Sequence, residues 1–418
     1  MSEPIRIARI AAGGDGVGRL PDGRVVLVPR TAPGDLVRIV IDKVEKRLVR
    51  ARMSDLLEPG PDRVEPPCRH YRDDDCGGCQ LQHLSPDAQR AARAAIVVDA
   101  MTRIAKVPLP PPPLTPADRE WGYRSKISLA VSAGSRRRIG FRRAGRPGSV
   151  FDLDRCLIAA DGINAFWIRL RAARDLLPAT AERLVLRLDR AGGEHLIVET
   201  GEGPAWTGGA ALAVRIAADR PVTIWWRPEG GAARVLAGAP TAYPATAFEQ
   251  VNPTMGDRVR VFAVAQLGPV AGKRIWDLYA GIGETTALVA EAGGTVESVD
   301  ADGTAVAEAA RRQAGLGPRV ARWTGRAERL VGSLGKPDAV IANPPRAGLD
   351  RAVVAAIRGH GPSPVVYLSC DPATLARDVG RLSDPATQGS PYRLGAVAGF
   401  DLFPQTAHLE TVAVLEPR

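Results

Sequence analysis

Between residues 246 and 418, short apolar runs alternate with Ala- and Arg-rich stretches: "KRIWDLYAGIGETTALVAEAG", "TVESVDADGTAVAEAARRQAG", "PDAVIANPPRAGL" and "VVYLSCDPATLARDVGRL". Parallel strands need long crossovers, and helices supply them, so this rhythm predicts a mostly parallel, doubly wound sheet. Ligands of such sheets bind outside the carboxyl ends of the strands. The strand ends are therefore where chemistry is sought.

The first strand ends near Asp277 and turns through Gly281 and Gly283 into a helix. Glycines in that frame let a ligand approach the backbone closely. A second strand ends about 20 residues later at Asp300, placed to accept hydrogen bonds from ribose hydroxyls. The third glycine of the dinucleotide pattern is missing. A further strand ends at Asn343, which offers donor and acceptor, and two prolines then lead to Arg346, suited to a phosphate or carboxylate. In "VVYLSCDPATLARD" (365–378), Cys370 follows a strand and precedes a helix. An isolated cysteine is ordinarily a small buried hydrophobe. At a helix N-terminus, however, a thiol gains thiolate character, the setting of a nucleophile. Glu410 opens the last expected strand and is a candidate general base.

The remainder divides into three parts. Residues 1–60 read as a small all-β unit of β-branched runs broken by Gly, Pro and Asp turns. Residues 61–107 hold a Pro-rich linker, the Cys-rich "CRHYRDDDCGGCQLQH" and a helix over 85–107, with Ser85 as N-cap and Pro86 in its first turn. Residues 108–245 begin with the stiff connector "PLPPPPLTP" and continue as an α+β region. Within it, "SRRRIGFRRAGRPG" (135–148) is either a solvated hairpin face or an RNA phosphate groove. Fifty-six Lys and Arg against 46 Asp and Glu give a net charge of +10, which favours a polyanionic partner. No long apolar stretch or signal pattern stands out, so a soluble, cytoplasmic protein with no membrane partner is expected. Of the five cysteines, Cys68, Cys76, Cys79 and Cys156 form a candidate metal set suited to zinc or an iron–sulfur cluster. His70 and His83 read as packing or polar residues beside it.

The segments "CGGCQLQH", "YRSKISLAV", "FEQVNP", "DLYAGIGETT", "NPPRAGL", "LSCDPATLARD" and "HLET", behind an N-terminal β unit, resemble the RNA uracil-C5 methyltransferases that carry a TRAM domain and a [4Fe–4S] cluster. The likeness runs from about residue 5 to 416. It implies a multidomain α/β protein: an OB-like TRAM β-barrel that binds RNA, an α+β central domain with the cluster, and a C-terminal Rossmann-like domain that binds S-adenosylmethionine (SAM), with the helix at 85–107 packed against that catalytic domain so that the domains interleave. It implies that Cys68, Cys76, Cys79 and Cys156 hold the cluster, and that Gln250, Tyr279, Asp300 and Asn343 meet SAM. Asn343 stands where the family usually has Asp; the amide keeps hydrogen bonding but loses the charge. Arg326 lies near the family's adenine position and is left out of the expected site. By the same resemblance Cys370 adds to C6 of uracil and Glu410 removes the C5 proton. The implied substrate is 23S rRNA, with the tRNA T-loop uridine as the alternative and no obligate protein partner. Amino-methylation through "NPPR" fits less well, because Arg346 follows the prolines and a thiol is present. An RNA-binding Fe–S protein with a weakened methyltransferase domain is the non-enzymatic alternative, supported by Asn343 alone.

Overall fold

The structure, a computed structural model, describes all residues except 1–3, 135, 221, 239–244, 246 and 387–390. Six strands open the chain: β1 (Ile5–Arg6), β2 (Arg9–Ile10), β3 (Gly16–Arg19), β4 (Val25–Val28), β5 (Leu36–Val44) and β6 (Leu48–Glu58). They form one sheet in the order β1-β5-β6-β4-β3-β2, antiparallel except where β4 meets β6. Alternate residues such as Val26, Val28, Val37 and Val49 pack its own small core.

Next come α1 (Arg69–Asp73) and α2 (Pro86–Ala100). Ser85 Oγ accepts from Ala88 N at 3.4 Å, and Pro86 occupies the first turn. A π-turn over Met101–Ala105 follows α2, and Lys106, in the left-handed region, ends it. The proline tract then runs to β7 (Leu114–Thr115), which adds to the edge of the C-terminal sheet. A sheet edge tolerates the prolines that precede it.

The central region contributes β8 (Lys126–Val131), β9 (Ile139–Gly140), β10 (Arg142–Arg143), β11 (Arg146–Val150), α3 (Asp161–Ala172), β12 (Ala181–Leu188), β13 (Glu194–Thr200), α4 (Gly209–Ile216), β14 (Val222–Pro228) and β15 (Arg234–Ala237). Six of these strands form a sheet in the order β15-β14-β13-β12-β8-β9. Its apolar face, with Leu129, Leu186 and Val198, packs on Phe166 and Trp167 of α3.

The last region comprises α5 (Pro253–Ala265), β16 (Arg274–Leu278), α6 (Glu284–Glu291), β17 (Thr295–Asp300), α7 (Gly303–Arg312), β18 (Val320–Thr324), α8 (Ala327–Leu330), β19 (Ala339–Ala342), α9 (Arg351–His360), β20 (Val365–Ser369), α10 (Pro372–Ser383), β21 (Tyr392–Phe400) and β22 (Glu410–Pro417). The sheet order is β18-β17-β16-β19-β20-β22-β21-β7. The first five strands are parallel, and β22 enters antiparallel between β20 and β21. Val97, Ala100 and Met101 of the α2 region share a core with Trp276, Val340 and Tyr367 of this sheet. A helix from early in the sequence thus completes the packing of the last domain.

Candidate active site

The carboxyl ends of β16, β17 and β19 meet in one crevice. After β16, Tyr279 (φ 63°), Gly281 (φ 57°) and Gly283 (φ 76°) coil the chain through left-handed conformations into α6. A Cβ at Gly281 would meet nothing within 4 Å, whereas one at Gly283 would lie 2.8 Å from the Gln313 amide. Backbone conformation demands glycine at the first; conformation and crowding demand it at the second. Asp300 pins the turn by accepting from Gly281 N at 2.7 Å and Asp302 N at 2.8 Å. Each oxygen keeps a second lone pair for another donor. Behind the turn, Asp277 accepts from the Thr285 and Thr286 hydroxyls at 2.7 and 2.6 Å. Burial pushes its carboxyl up to about 6.

Tyr279 and Asp300 line one cavity of about 550 Å³, together with Arg326, Glu328 and Pro345. Arg326, left out of the sequence expectation, therefore belongs to this cavity wall. Among the described residues the lining includes neither Asn343 nor Gln250. Asn343 is half-buried, and its N–H donates to Leu278 O at 3.1 Å, which ties β19 to the end of β16. Gln250 packs over Gly256 of α5, where a Cβ would come within 3.1 Å of its side chain. Three residues earlier, Ala247 packs on Ile282 of the glycine turn.

Cys370 and Glu410 are brought together by strand register. Ser369 pairs with Thr411 across β20 and β22, and Thr411 Oγ1 donates to Ser369 O at 2.8 Å. One step further along this antiparallel pair sets Cys370 opposite Glu410. Cys370 is half-buried, whereas Glu410 is 2% exposed. Burial pushes the Glu410 carboxyl up to about 8. The Cys370 thiol is pushed up as well, by burial and then by Glu410, with the Arg346 guanidinium pulling the other way. This corrects the expectation that the helix end lowers it. Asp371 already caps α10, accepting from Thr374 N at 2.9 Å, and its negative charge adds to the upward push.

Arg346 also reaches the His408 ring, 3.3 Å from Nε2 and 3.5 Å from Nδ1. Burial and then Arg346 push the imidazole pKa down. His408 opens the "HLET" segment two residues before Glu410, a signal present in the sequence. Asp378 had no such signal, since an acid in a helix reads as surface. It is wholly buried and accepts from Leu349 N at 2.8 Å, Tyr367 Oη at 2.9 Å and Arg377 Nε at 2.9 Å. The "NPPRAGL" loop is thereby fastened to β20 and α10.

A second cavity, of about 270 Å³, is lined by Cys68, Cys76, Cys79 and Cys156 with Tyr71, Arg124 and Phe141. All four cysteines are free. Burial pushes Cys76 up to about 12 and raises Cys79 and Cys156. Among the described residues no three His, Cys, Asp or Glu side chains converge as on a single ion. His70 is bonded elsewhere, to Asp74 at 2.8 Å and Asp154 N at 3.0 Å, and His83 Nδ1 meets Tyr71 Oη at 2.7 Å. The basic segment zips onto this loop: Ala144 N donates to Asp75 O at 2.7 Å, and Arg143 and Arg146 pair with Asp74 and Asp75. Arg137 bonds Pro178 O and Ala181 O. Five of its six arginines, Arg138 and Arg142 included, bond to the protein's own groups, and Arg142 and Arg143 also line a groove with Arg183.

A Rossmann-like sheet whose glycine turn is pinned by an acid at the next strand tip, beside a cavity, is the architecture of a nucleotide-cofactor site, and the half-buried Cys370 thiol stands at the end of another strand of the same sheet. Residues 334–418 match the tRNA (Uracil-5-)-methyltransferase family, and residues 3–53 match the TRAM domain family. The chain is 31% identical to a 23S rRNA (uracil(1939)-C(5))-methyltransferase RlmD of Thiobacillus denitrificans, with 100% of both chains covered. It is 32% identical to the enzyme of that name from Halomonas elongata, covering 98% of this chain and 88% of the relative. Its structure resembles that of Pyrococcus abyssi tRNA (uracil-54, C5)-methyltransferase in complex with S-adenosyl-L-homocysteine, with TM-score 0.75, 25% identity, and 98% and 99% of the two chains covered. The chain belongs to the SAM-dependent RNA uracil-C5 methyltransferase family, with an N-terminal TRAM domain. No helix among the described residues is long and apolar enough to cross a membrane.

Proposed function

We propose that this protein methylates C5 of a uridine in 23S rRNA, with Cys370 as nucleophile and Glu410 as general base. One observation carries the reading: register sets a half-buried thiol opposite a buried carboxylate, at the carboxyl end of β20, with Arg346 from the loop after β19 beside the thiol. Uracil C5 is a poor nucleophile on its own. The Cys370 sulfur adds to C6, and the electron pair moves towards C5 and O4. Arg346 holds the thiolate before addition and favours the negative charge that develops on the ring. SAM, when bound, would supply an electrophilic methyl group; C5 would bond to that carbon as its bond to the sulfonium sulfur breaks, the electron pair leaving with sulfur in S-adenosylhomocysteine. Glu410 then takes the C5 proton; the C–H pair re-forms the C5–C6 double bond as the C6–S bond breaks and returns the thiolate. A carboxyl with a pKa near 8 is well matched to that proton transfer at neutral pH. The target base leaves its stack to reach this crevice.

Tyr279 and Asp300 are the residues we assign to SAM in the large cavity, with Asp300 accepting from ribose hydroxyls and Arg326 beside the base. Asn343 and Gln250 are assigned to SAM on the family resemblance alone, since neither lines this cavity. Cys68, Cys76, Cys79 and Cys156 are assigned to a [4Fe–4S] cluster. A cluster gives each thiolate its own iron, which suits cysteines spread round a cavity wall better than one zinc with sulfurs at about 2.3 Å. The TRAM unit and the Arg142–Arg183 groove are assigned to RNA.

Incubation with labelled SAM and separate rRNA and tRNA, followed by nucleoside mass spectrometry, tests the function. The expected product is 5-methyluridine in 23S rRNA. Label in tRNA alone transfers the assignment to the T-loop uridine, and label in neither defeats it. An anaerobic absorption band near about 400 nm, with iron rather than zinc by elemental analysis, is the expected signature of the cluster.

A further inference from the structure

The segment 401–408 leads directly into Glu410 and His408, and the protein holds it with unusual completeness. Five consecutive carbonyls are each bound by other groups. Leu402 O accepts from Asn252 Nδ2 at 3.3 Å, Phe403 O from Thr406 Oγ1 at 2.8 Å, and Pro404 O from Tyr123 Oη at 2.9 Å. Gln405 O accepts from Gln80 N at 3.1 Å and Leu81 N at 3.0 Å, and Thr406 O from Arg93 at 3.1 Å. Gln405 itself sits at φ 70°, a conformation unfavourable for a residue with a side chain. Such a conformation persists only where its surroundings over-determine it. Here Gln89 does so from both sides. Its Oε1 accepts from Gln405 N at 3.0 Å, and its Nε2 donates to Gln405 Oε1 at 2.9 Å. Gln80 Oε1 also accepts from Ala407 N at 3.3 Å, and Arg93 pairs with Asp401 at 2.9 Å. Gln89, Arg93 and Gln405 are all buried.

We propose that Gln80, Gln89 and Arg93 form a clamp, carried by the cysteine-rich segment and α2, that positions Glu410 over the methylated base by holding Gln405 in its strained conformation. These are positioning residues; none touches substrate. Gln80 follows Cys79 directly, so the loop that presents the cysteines also grips the approach to the base. The inference rests on the reading of Glu410 as the base. A displaced carboxylate leaves sulfur addition and methyl transfer intact and slows only the final proton removal.

The test uses the full-length holoprotein with RNA and SAM. Gln89→Ala, Gln89→Glu and Gln80→Ala are compared with Glu410→Gln on denaturing gels and by mass spectrometry of the adduct. Gln89→Ala is expected to lower turnover about 100-fold, the order lost when a reacting group is misplaced by an ångström. SAM and RNA affinities stay unchanged, and a methylated protein–RNA adduct accumulates as it does in Glu410→Gln. Gln89→Glu keeps the acceptor for Gln405 N and loses the donor, so its adduct is intermediate and remains measurable should the alanine variant not fold. Gln80→Ala, at a half-buried position, shows the same adduct more weakly. Wild-type turnover in Gln89→Ala, or loss of activity without adduct while Glu410→Gln accumulates it, overturns the clamp. Absence of adduct in Glu410→Gln overturns the base assignment and the clamp with it.

Discussion

Glu410 combines burial with a functional need to ionise, and the two pull against each other. Its carboxyl is raised to about 8 by burial. From the ordinary carboxylate range up to about pH 8, the folded state keeps a proton that the unfolded state has released, so stability falls as pH rises through that window. Glu410→Gln removes this dependence. The variant is expected to match the wild type in thermal melts near about pH 5 and to exceed it near about pH 9. Turnover runs the other way, because proton removal needs the ionised carboxylate: wild-type activity should climb between about pH 6 and 8. A flat wild-type profile contradicts the assignment. Cys370→Ser is expected to bind SAM normally and form no 5-methyluridine, since a serine hydroxyl at neutral pH does not supply the required anion. Methylation at the wild-type rate by that variant removes Cys370 from the mechanism.

At the scale of elements, the loop after β19 and the helix after β20 are one unit. Gly348 (φ 79°) passes so close to α10 that a Cβ there would lie 2.3 Å from the Asp378 carboxylate and 2.4 Å from Thr374. Thr374 Oγ1 holds Arg346 O at 3.0 Å, and Arg377 holds Ala347 O at 2.6 Å. Asp378→Ala leaves Leu349 N and Tyr367 Oη without their acceptor, at a cost of about 3 kcal/mol. Urea unfolding measures this, and a loss under about 1 kcal/mol would show that the unit reorganises around the change. Much of this element was readable in advance. The strand ends, the glycine turn and the order Cys370 then Glu410 follow from hydrophobic rhythm and turn residues. What was not readable depends on contacts far apart in sequence. Asp378 reads as a surface acid until Leu349 and Tyr367 are seen to need it. The left-handed Gln405 and its partner Gln89 have no local signature. The thiol's direction of shift was not readable because burial, and then the Glu410 carboxylate brought in by β22, push it up.

Over the whole molecule, the chain is interleaved. The helix α2, from the Cys-rich part, completes the core beneath β16 and β20, and β7 joins the far edge of the same sheet. The boundary near residue 107 that composition suggests is a linker in sequence but not a break in packing; apolar periodicity alone does not reveal this, whereas the family resemblance implies it. The basic residues are divided between internal ion pairs, which cancel, and an excess of +10, with Arg142, Arg143 and Arg183 lining a groove. Arg142→Ala is expected to weaken RNA binding and to reduce the slope of log affinity against log salt by about 0.9, one phosphate's worth. An unchanged slope places the RNA elsewhere.

The central claim is a sulfur–carbon bond between Cys370 and a target uridine. RNA carrying 5-fluorouridine at the target position presents a fluorine that a base cannot remove, so the reaction should stop at the bonded stage. Digestion and mass spectrometry of the trapped product are predicted to find one methylated fluorouridine on the peptide containing Cys370. A trapped nucleotide on any other residue, or none in the presence of SAM and RNA, contradicts the account.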